Sequence, residues 1–455
     1  MPLLSFLQSS KPAINDDLTR EKIQALSTKL RLSDSDLDAK LDLFCYNKCN
    51  NNDPDLVKNC RGVVFNGENI VLRGFPYTEE YTTKSSSFNV LENIMKESWD
   101  SYRFYESREG ALIRVFYWQT KWYVSTHRKL DAFRSKWASK ESFGQMFNDA
   151  LEALQDSGDE NFINHMNQDH MNQDHMDQNH MDQDETITNK FLNTLDKNYQ
   201  YMFLVLNSYD NRIVCAAPDK PTVYHVGTIP LSNSNPQIPE HKCILDHDIG
   251  IPFSKELKFS NIEDMKSYID GLNYENYQGV IIFNTKLNKQ YKLFNQDYYD
   301  LFNIRGNEPS VKYRYLQIRQ DKDMVDKLYY LYPKYADAFD DYENTLYECA
   351  KKINKNYIDR FIKKKYVTVP KEDFLVMKAC HDWHLEDREK NRISLRKVID
   401  TLNEQTPSCL NRIIRRFKSG VTDQNETMKM TRLRARSYSH NSDNPIVMSG
   451  DKQIN

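Results

Sequence analysis

Apolar residues recur with two different periods along this chain, and the change falls near residue 310. Before it they come in short runs bounded by turn residues, the pattern of strands. After it Tyr342, Leu346, Cys349, Ala350, Ile353, Tyr357 and Phe361 follow one another at three- and four-residue steps. That spacing lines up one apolar helix face. A single repeating architecture is thereby excluded. The order requires an α+β chain, a strand-rich body followed by an all-α domain. The 455 residues are enough for two or three cores, at ~150 residues per domain.

Two hairpins are predicted, one pairing 62–65 with 69–73 and the other 111–117 with 121–126. Further strands are expected over 201–206, 212–217, 223–226, 279–283 and 290–294. Polar helices are expected within 1–40, and further helices at 130–155, 371–388, 392–404 and 407–418. The domains that follow are an N-terminal helical extension (1–44), the strand-rich domain (45–310), the helical domain (311–419) and a basic tail (420–455) rich in Ser and Asn, expected to be disordered. Within the second, 156–186 reads as a disordered insertion. It contains NHMNQDHMNQDHMDQNHMDQD, where His165, His170, His175 and His180 recur every five residues. A five-residue period matches neither helix nor strand and leaves no apolar stripe to bury.

Several function classes fall away. No run of ~18 apolar residues is present, so no membrane span is expected. The opening MPLLSFLQSSKPAINDD has neither a basic leader nor a sustained apolar run, so no signal peptide is expected. The eight dispersed cysteines then read as reduced thiols in the cytoplasm. Neither Cys45/Cys49/Cys60 nor the stretch from Cys380 to His384 has paired metal-ligand spacing, and no metal site is assigned. Glycine numbers only 13, and neither GxGxxG nor GxxxxGK[ST] occurs, which disfavours glycine-loop phosphate cradles. The net charge of −3 conceals a cancellation. Residues 141–185 carry twelve acids and no Lys or Arg, whereas 351–365 carry seven cations against Asp359.

Six segments carry a family resemblance. They are Cys60-Arg61-Gly62-Val63-Val64-Phe65, Glu106-Ser107-Arg108-Glu109-Gly110-Ala111, Ser125-Thr126-His127-Arg128-Lys129, Asn211-Arg212-Ile213-Val214, Gln278-Gly279-Val280-Ile281-Ile282 and Lys292-Leu293-Phe294-Asn295-Gln296-Asp297-Tyr298. In this order the row resembles the pocket of covalent nucleotidyltransferases, above all phage-type RNA ligases and their relatives in giant DNA viruses. The resemblance implies an antiparallel, ATP-grasp-like ligase domain. It further implies a lysine that attacks the α-phosphate of ATP with Mg²⁺ present, and passage of the adenylate to an RNA 5′-phosphate. Host cytoplasm or virion would be the setting for a viral member.

Carried over residue by residue, the resemblance meets four departures. Ser107 stands at the nucleophile position, where an alcohol forms no phosphoramidate. Glu109 keeps the acidic place two residues on. Gln278 replaces a metal-facing glutamate, and Val205, or Leu204 or Leu206 beside it, replaces another. Lys292 matches the first of two phosphate lysines, and Phe294 takes the place of the second. Arg61, Arg212 and Lys292 remain as phosphate-reach cations, with His127, Arg128 and Lys129 as further phosphate or RNA contacts; a displaced nucleophile is the second role open to Lys129. Such groups act as a unit, so losing several points to a fold that has outlived its chemistry.

The helical domain adds Lys351, Lys352, Lys355, Lys363, Lys364 and Lys365 as an RNA-phosphate face, with Tyr357 and Phe361 expected in the core. A second basic stretch, 412–436, extends into the tail. The resulting expectation is a pseudoenzyme that binds RNA or a nucleotide. The alternatives are an active ATP- and Mg²⁺-dependent ligase with a relocated nucleophile, and a structural or interaction protein.

Overall fold

The computed structural model describes residues 18–168, 186–231 and 242–419. His170, His175 and His180 of the repeat and the 420–455 tail lie outside them. The chain divides into two compact units, one ending at Pro309 and one beginning at Ser310.

The first unit is built on three sheets. One has the order β1 (Leu30–Asp36), β2 (Leu41–Tyr46), β3 (Arg61–Asn66), β4 (Asn69–Leu72), all antiparallel. The second is made of β5 (Glu79–Thr82), β6 (Tyr102–Ser107), β11 (Glu256–Leu257), β12 (Gly279–Asn284) and β13 (Lys289–Phe294), in the order β11-β6-β12-β13-β5. Only β13 and β5 run parallel there. The third comprises β7 (Gly110–Trp118), β8 (Lys121–Ser125), β9 (Tyr199–Leu206) and β10 (Val223–Pro230), in the order β10-β9-β7-β8.

Alternation along β7 decides what each face meets. Ile113 and Val115 point into a core with Phe147, Phe191 and Phe203. That core is closed by α4 (Phe143–Asp156), α5 (Glu160–Gln168) and α6 (Ile187–Asn193). Phe116, of opposite parity, joins Leu41, Leu43, Val64 and Leu72 of the first sheet. The far face of that sheet buries Phe44, Val63 and Phe65 with Ile23 of α1 (Arg20–Ala25) and Val57 of α2 (Asp55–Asn59). The second sheet packs Phe104, Val280, Ile282 and Leu293 on α3 (Phe88–Glu97) and α7 (Ile262–Asp270). α8 (Gln296–Arg305) follows β13 directly.

The second unit is helical: α9 (Val311–Ile318), α10 (Lys322–Leu331), α11 (Ala336–Tyr357), α12 (Lys371–Glu386), α13 (Leu395–Asn403) and α14 (Pro407–Lys418). Leu346, Cys349, Ala350, Ile353 and Tyr357 are the buried stripe of α11. A π turn, Ile358–Ile362, extends that helix, and Phe361 within it is only partly buried.

Three expectations need correcting. Residues 30–46 are two strands, not part of a helical extension, because the alternating Leu41, Leu43 and Cys45 are needed to cover Phe116 and Tyr123. Residues 212–217 form no strand; their amides turn onto a carboxylate instead. The helix expected from 130 starts at Phe143, where the Ser142 hydroxyl caps the Gln145 amide. In addition, α5 occupies the start of the expected insertion, and His165 Nε2 lies 3.0 Å from Thr194 Oγ1.

Two buried charges test this architecture. Arg114, on the Phe116 face of β7, is 1% exposed and is held by the carbonyls of Gly62 and Thr126. Its planar fork reaches both, which one lysine ammonium does not. We expect Arg114→Lys to cost at least ~1.5 kcal/mol in urea unfolding of the full chain, since at most one of the two charge-assisted bonds is kept.

Glu79 receives Lys58 at 2.8 Å, Lys289 at 2.9 Å and the Tyr81 hydroxyl at 2.7 Å. Burial alone would raise its carboxyl, but these donors hold it at about 2. The folded value lies below the ~4.3 of an unfolded chain. Glu79 therefore adds stability above pH ~4.5 that fades as pH falls toward ~2. Glu79→Gln should flatten this acid-side loss, read as thermal midpoints across that pH range.

Candidate functional site

The end of β6, the start of β12, the end of β13 and the first turn of α8 meet at one buried polar chain. Ser107 faces Gly279 across the β6–β12 pair, and the Gln278 amide donates to the Ser107 carbonyl at 2.8 Å. Gly279 has φ +152°, and a Cβ there would lie 2.0 Å from the Leu293 carbonyl oxygen. Only glycine fits, and this close approach sets Gln278 against Ser107.

The side chains then form a directed series. Ser107 Oγ donates to Gln278 Oε1 at 3.0 Å, and Lys292 Nζ donates to the same oxygen at 3.1 Å. Gln278 Nε2 donates to Tyr298 Oη at 2.8 Å, and Tyr298 Oη donates to Glu109 Oε1 at 3.0 Å. Glu109 also accepts the amides of Ile213 at 2.8 Å, Val214 at 2.6 Å and Cys215 at 3.0 Å. The bonds all point toward the one carboxylate. A glutamate at 278 would turn a second carboxylate on Tyr298, so the amide fits where the resemblance calls for an acid.

Tyr298 is held from two directions. Asn295 caps α8 by accepting the Tyr298 amide at 3.0 Å, and the Phe294 ring stacks on Tyr298 with centroids 5.3 Å apart. Burial, then the neighbouring Glu109, raises the phenol far above its ordinary value, so it stays protonated. Burial lowers the Lys292 ammonium, opposed by Glu80 and reinforced by Arg61. The positions of Ser107, Glu109, Gln278 and Lys292 are thus brought together. Tyr298 closes the group; its role was missed in the sequence, where the Asn295 cap three residues earlier was the available signal.

Beside them lies a cationic group. Arg61 donates to the Pro76 carbonyl at 3.3 Å, and its buried Nε has no hydrogen-bond partner. Gly62 next to it has φ +70° and leaves room for His127, whose Cα would lie 2.7 Å from any added Cβ. Burial pulls the His127 imidazole down to about 3, helped by Arg61, Arg114 and Arg128, so it is neutral at pH 7. Arg114, the second residue that sequence reasoning missed, fixes Gly62 and Thr126 and so places both Arg61 and His127.

Other expected residues turn elsewhere. Lys129 Nζ lies 3.2 Å from Asp34, and Arg128 donates to the Asn47 carbonyl at 3.1 Å. Arg212 donates to the Val214 carbonyl at 3.1 Å, beside the loop that Glu109 holds. In the helical unit, Lys351 pairs with Glu348 at 2.6 Å and Lys363 with Asp359 at 3.2 Å. Arg412 and Arg416 are bound to Glu372.

A cavity of about 280 Å³ adjoins Glu109, lined also by Arg108, Leu206, Asn207, Ala217 and Asn276. At its edge the Arg108 guanidinium lies 4.6 Å from the Tyr277 ring centroid and 5.6 Å from that of Tyr224. A divalent ion is not matched by the donors present. Gln278 stands at one implied metal-facing position and Val205, or Leu204 or Leu206 beside it, at the other, and among the described residues no group of three or more His, Cys, Asp or Glu is placed to hold a metal. No helix among them is long and apolar enough to cross a membrane.

Solved structures similar to this chain include ATP-dependent ligases. A putative ATP-dependent DNA ligase from Aquifex aeolicus has a TM-score of 0.37 and 12% identity, covering 88% of this chain and 80% of that one. An archaeal ATP-dependent RNA ligase has a TM-score of 0.36 and 12% identity, covering 68% of each. In sequence the chain is similar to the immediate-early protein ICP-46 homolog of Invertebrate iridescent virus 6, 29% identical over 417 residues, 88% of this chain and 85% of the relative. The homolog from Invertebrate iridescent virus 3 is 26% identical over 418 residues, 87% and 82%. The immediate-early protein ICP-46 of Frog virus 3 is 22% identical over 264 residues, 57% and 59%. No family model matches.

If Glu109 holds the 213–215 loop, Glu109→Ala should raise hydrogen exchange at the Ile213, Val214 and Cys215 amides at least tenfold, since a bond to a charged acceptor contributes ~1.5–3 kcal/mol. Exchange in β9 should stay unchanged.

Proposed function

We propose that the strand-rich unit is a nucleotidyltransferase-like module that holds a nucleotide, with ATP as the reference ligand, without forming a lysyl-nucleotide. One observation carries this reading. The residue at the nucleophile position, Ser107, is a buried alcohol whose proton is already directed to Gln278. The neighbouring Glu109 is likewise committed, to three amides and a phenol. Neither is available to activate an attack on phosphorus.

Binding remains well supported. Arg61 and Lys292 are cations near each other in a partly buried setting, where attraction for phosphate exceeds that in open water. The cavity beside Glu109 offers apolar walls and amide side chains for a base. RNA is the partner class that such a module implies, its 5′-phosphate being the acceptor in the related chemistry. The donors that would hold Mg²⁺ are replaced by Gln278 and by Val205, Leu204 or Leu206.

A second reading has its own observation. Lys129 is tied to Asp34, but Lys292 shares the Gln278 oxygen with Ser107, and burial favours its neutral amine. An active enzyme would therefore use Lys292 rather than Lys129.

Incubation with α-labelled ATP or GTP and Mg²⁺ or Mn²⁺ separates the two. We expect label retained on a filter under native conditions and lost on denaturation in SDS. Lys292→Ala should weaken retention about tenfold (~1.4 kcal/mol). A label that survives SDS and alkali, is released by hot acid, and disappears in Lys292→Ala would replace the non-covalent reading with the enzymatic one. Absence of any retention would leave an interaction protein.

A further inference from the structure

His127 stands beside the nucleotide site without a bond of its own. Its backbone packs on Gly62 of β3, and Arg114 holds the carbonyl of Thr126 one residue back. The ring is only partly buried. Among the described residues neither ring nitrogen has a hydrogen-bond partner, and neither is sealed from solvent. Arg61 offers a similar open donor. Its Nη1 is bonded to the Pro76 carbonyl, while Nη2 is unbonded and accessible.

The charges that act on His127 have one sign. They are Arg61 of β3, Arg114 of β7 and Arg128 beside it in the chain. From β2 the Cys45 thiol faces the same three guanidiniums and stays protonated, because burial outweighs them. The nearby carboxylates are engaged elsewhere. Asp34 of β1 accepts Lys129 and the Leu130 amide, and Glu80 of β5 acts on Lys292. Of the groups around this corner, the guanidiniums keep their charge at any working pH. The imidazole is the one whose charge can change near neutrality. Burial, then the three guanidiniums, hold it down at about 3, so it is neutral by itself. An anion against the ring reverses that balance, because it attracts the proton that the guanidiniums repel.

We propose that Arg61 and His127 together bind a dianionic phosphate, the terminal phosphate of the bound nucleotide, and that His127 takes up a proton from solvent as it binds. The site rests on the nucleotide reading and adds the charge state of the ligand. A terminal phosphate carries two negative charges and a chain phosphodiester one. Attraction for the added proton scales with that charge, so the corner prefers a phosphate end to a strand backbone. The complex holds a proton that the free protein lacks between pH ~3 and the raised value. Binding therefore tightens as pH falls through that window.

The probe is sulfate, doubly negative throughout this range, with methyl sulfate as its singly charged counterpart. Both are applied to the full chain at constant ionic strength. In histidine-labelled protein the His127 ring-proton signal should show no inflection between about pH 5 and 7.5 in chloride or methyl sulfate, and a clear one in sulfate. The spectrum of His127→Gln assigns the signal. Displacing a tracer of labelled ATP should take at least about threefold less sulfate at pH ~5 than at pH ~7. His127→Gln should lose that difference, and Arg61→Gln should weaken sulfate at least about fivefold at both values. ATP retention with no inflection in sulfate overturns the proposal and leaves the nucleotide reading standing. So does a pH difference that survives in His127→Gln, an equal inflection in methyl sulfate, or unchanged sulfate affinity in Arg61→Gln. An inflection in sulfate without ATP retention would fail the nucleotide reading and keep the proton-linked anion site. Neither retention nor inflection would remove both.

Discussion

A single buried guanidinium joins the parts of the strand-rich unit that matter for its site. Arg114 leaves the third sheet on the face that meets the first, and it binds one carbonyl in each neighbourhood, Gly62 and Thr126. No carboxylate accepts its protons among these bonds. A charge taken out of water with only dipoles to receive it is expensive, and it persists where the surrounding packing leaves no alternative. Its consequence is local order. The two peptides it grips belong to the segments that carry Arg61 and His127, so the placement of these two groups is set by a residue with no need to touch a ligand.

The opposite side is set by hydrogen-bond polarity. Ser107 and Lys292 both donate to Gln278, Gln278 donates to Tyr298, and Tyr298 donates to Glu109. Each departure from the motif row that the sequence resembles has a place within this chain. Serine is a donor small enough for its place, glutamine is the side chain with an acceptor at one end and a donor at the other, and Phe294 in place of a second lysine supplies the ring on which Tyr298 stacks. The departures are therefore coupled. Restoring one acid at Gln278 would disturb the polarity of the rest, in the way that fully satisfied polar networks resist partial change.

Much of this was legible beforehand, for reasons that can be named. The hairpins around Gly67 and Gln119 were readable because turn residues interrupt alternating apolar runs. The buried face of α11 was readable because Leu346, Cys349, Ile353 and Tyr357 keep a helical period. The positions of Ser107, Glu109, Gln278 and Lys292 were readable from motif order, and all four meet. Residues 30–46 misled because their strand character depends on cover from Phe116 and Tyr123, which lie some eighty residues away. Residues 212–217 misled because an apolar run looks like a strand until Glu109 takes its amides.

By itself the sequence determined the division into a strand-rich body and a helical unit, the shortage of glycine loops, and a serine, Ser107, where the motif row it resembles has a lysine. These are local or compositional properties, and a periodic pattern or a residue identity is sufficient to state them. Only the tertiary structure decided which cations meet the buried polar chain. Arg128 and Lys129 sit beside His127 in the chain, yet they turn to Asn47 and Asp34. Lys292, far away in sequence, shares an oxygen with Ser107 instead. The physical reason is that strand pairing and burial choose partners across the fold, and a side chain's neighbours in sequence do not reveal which of two sheets it will meet.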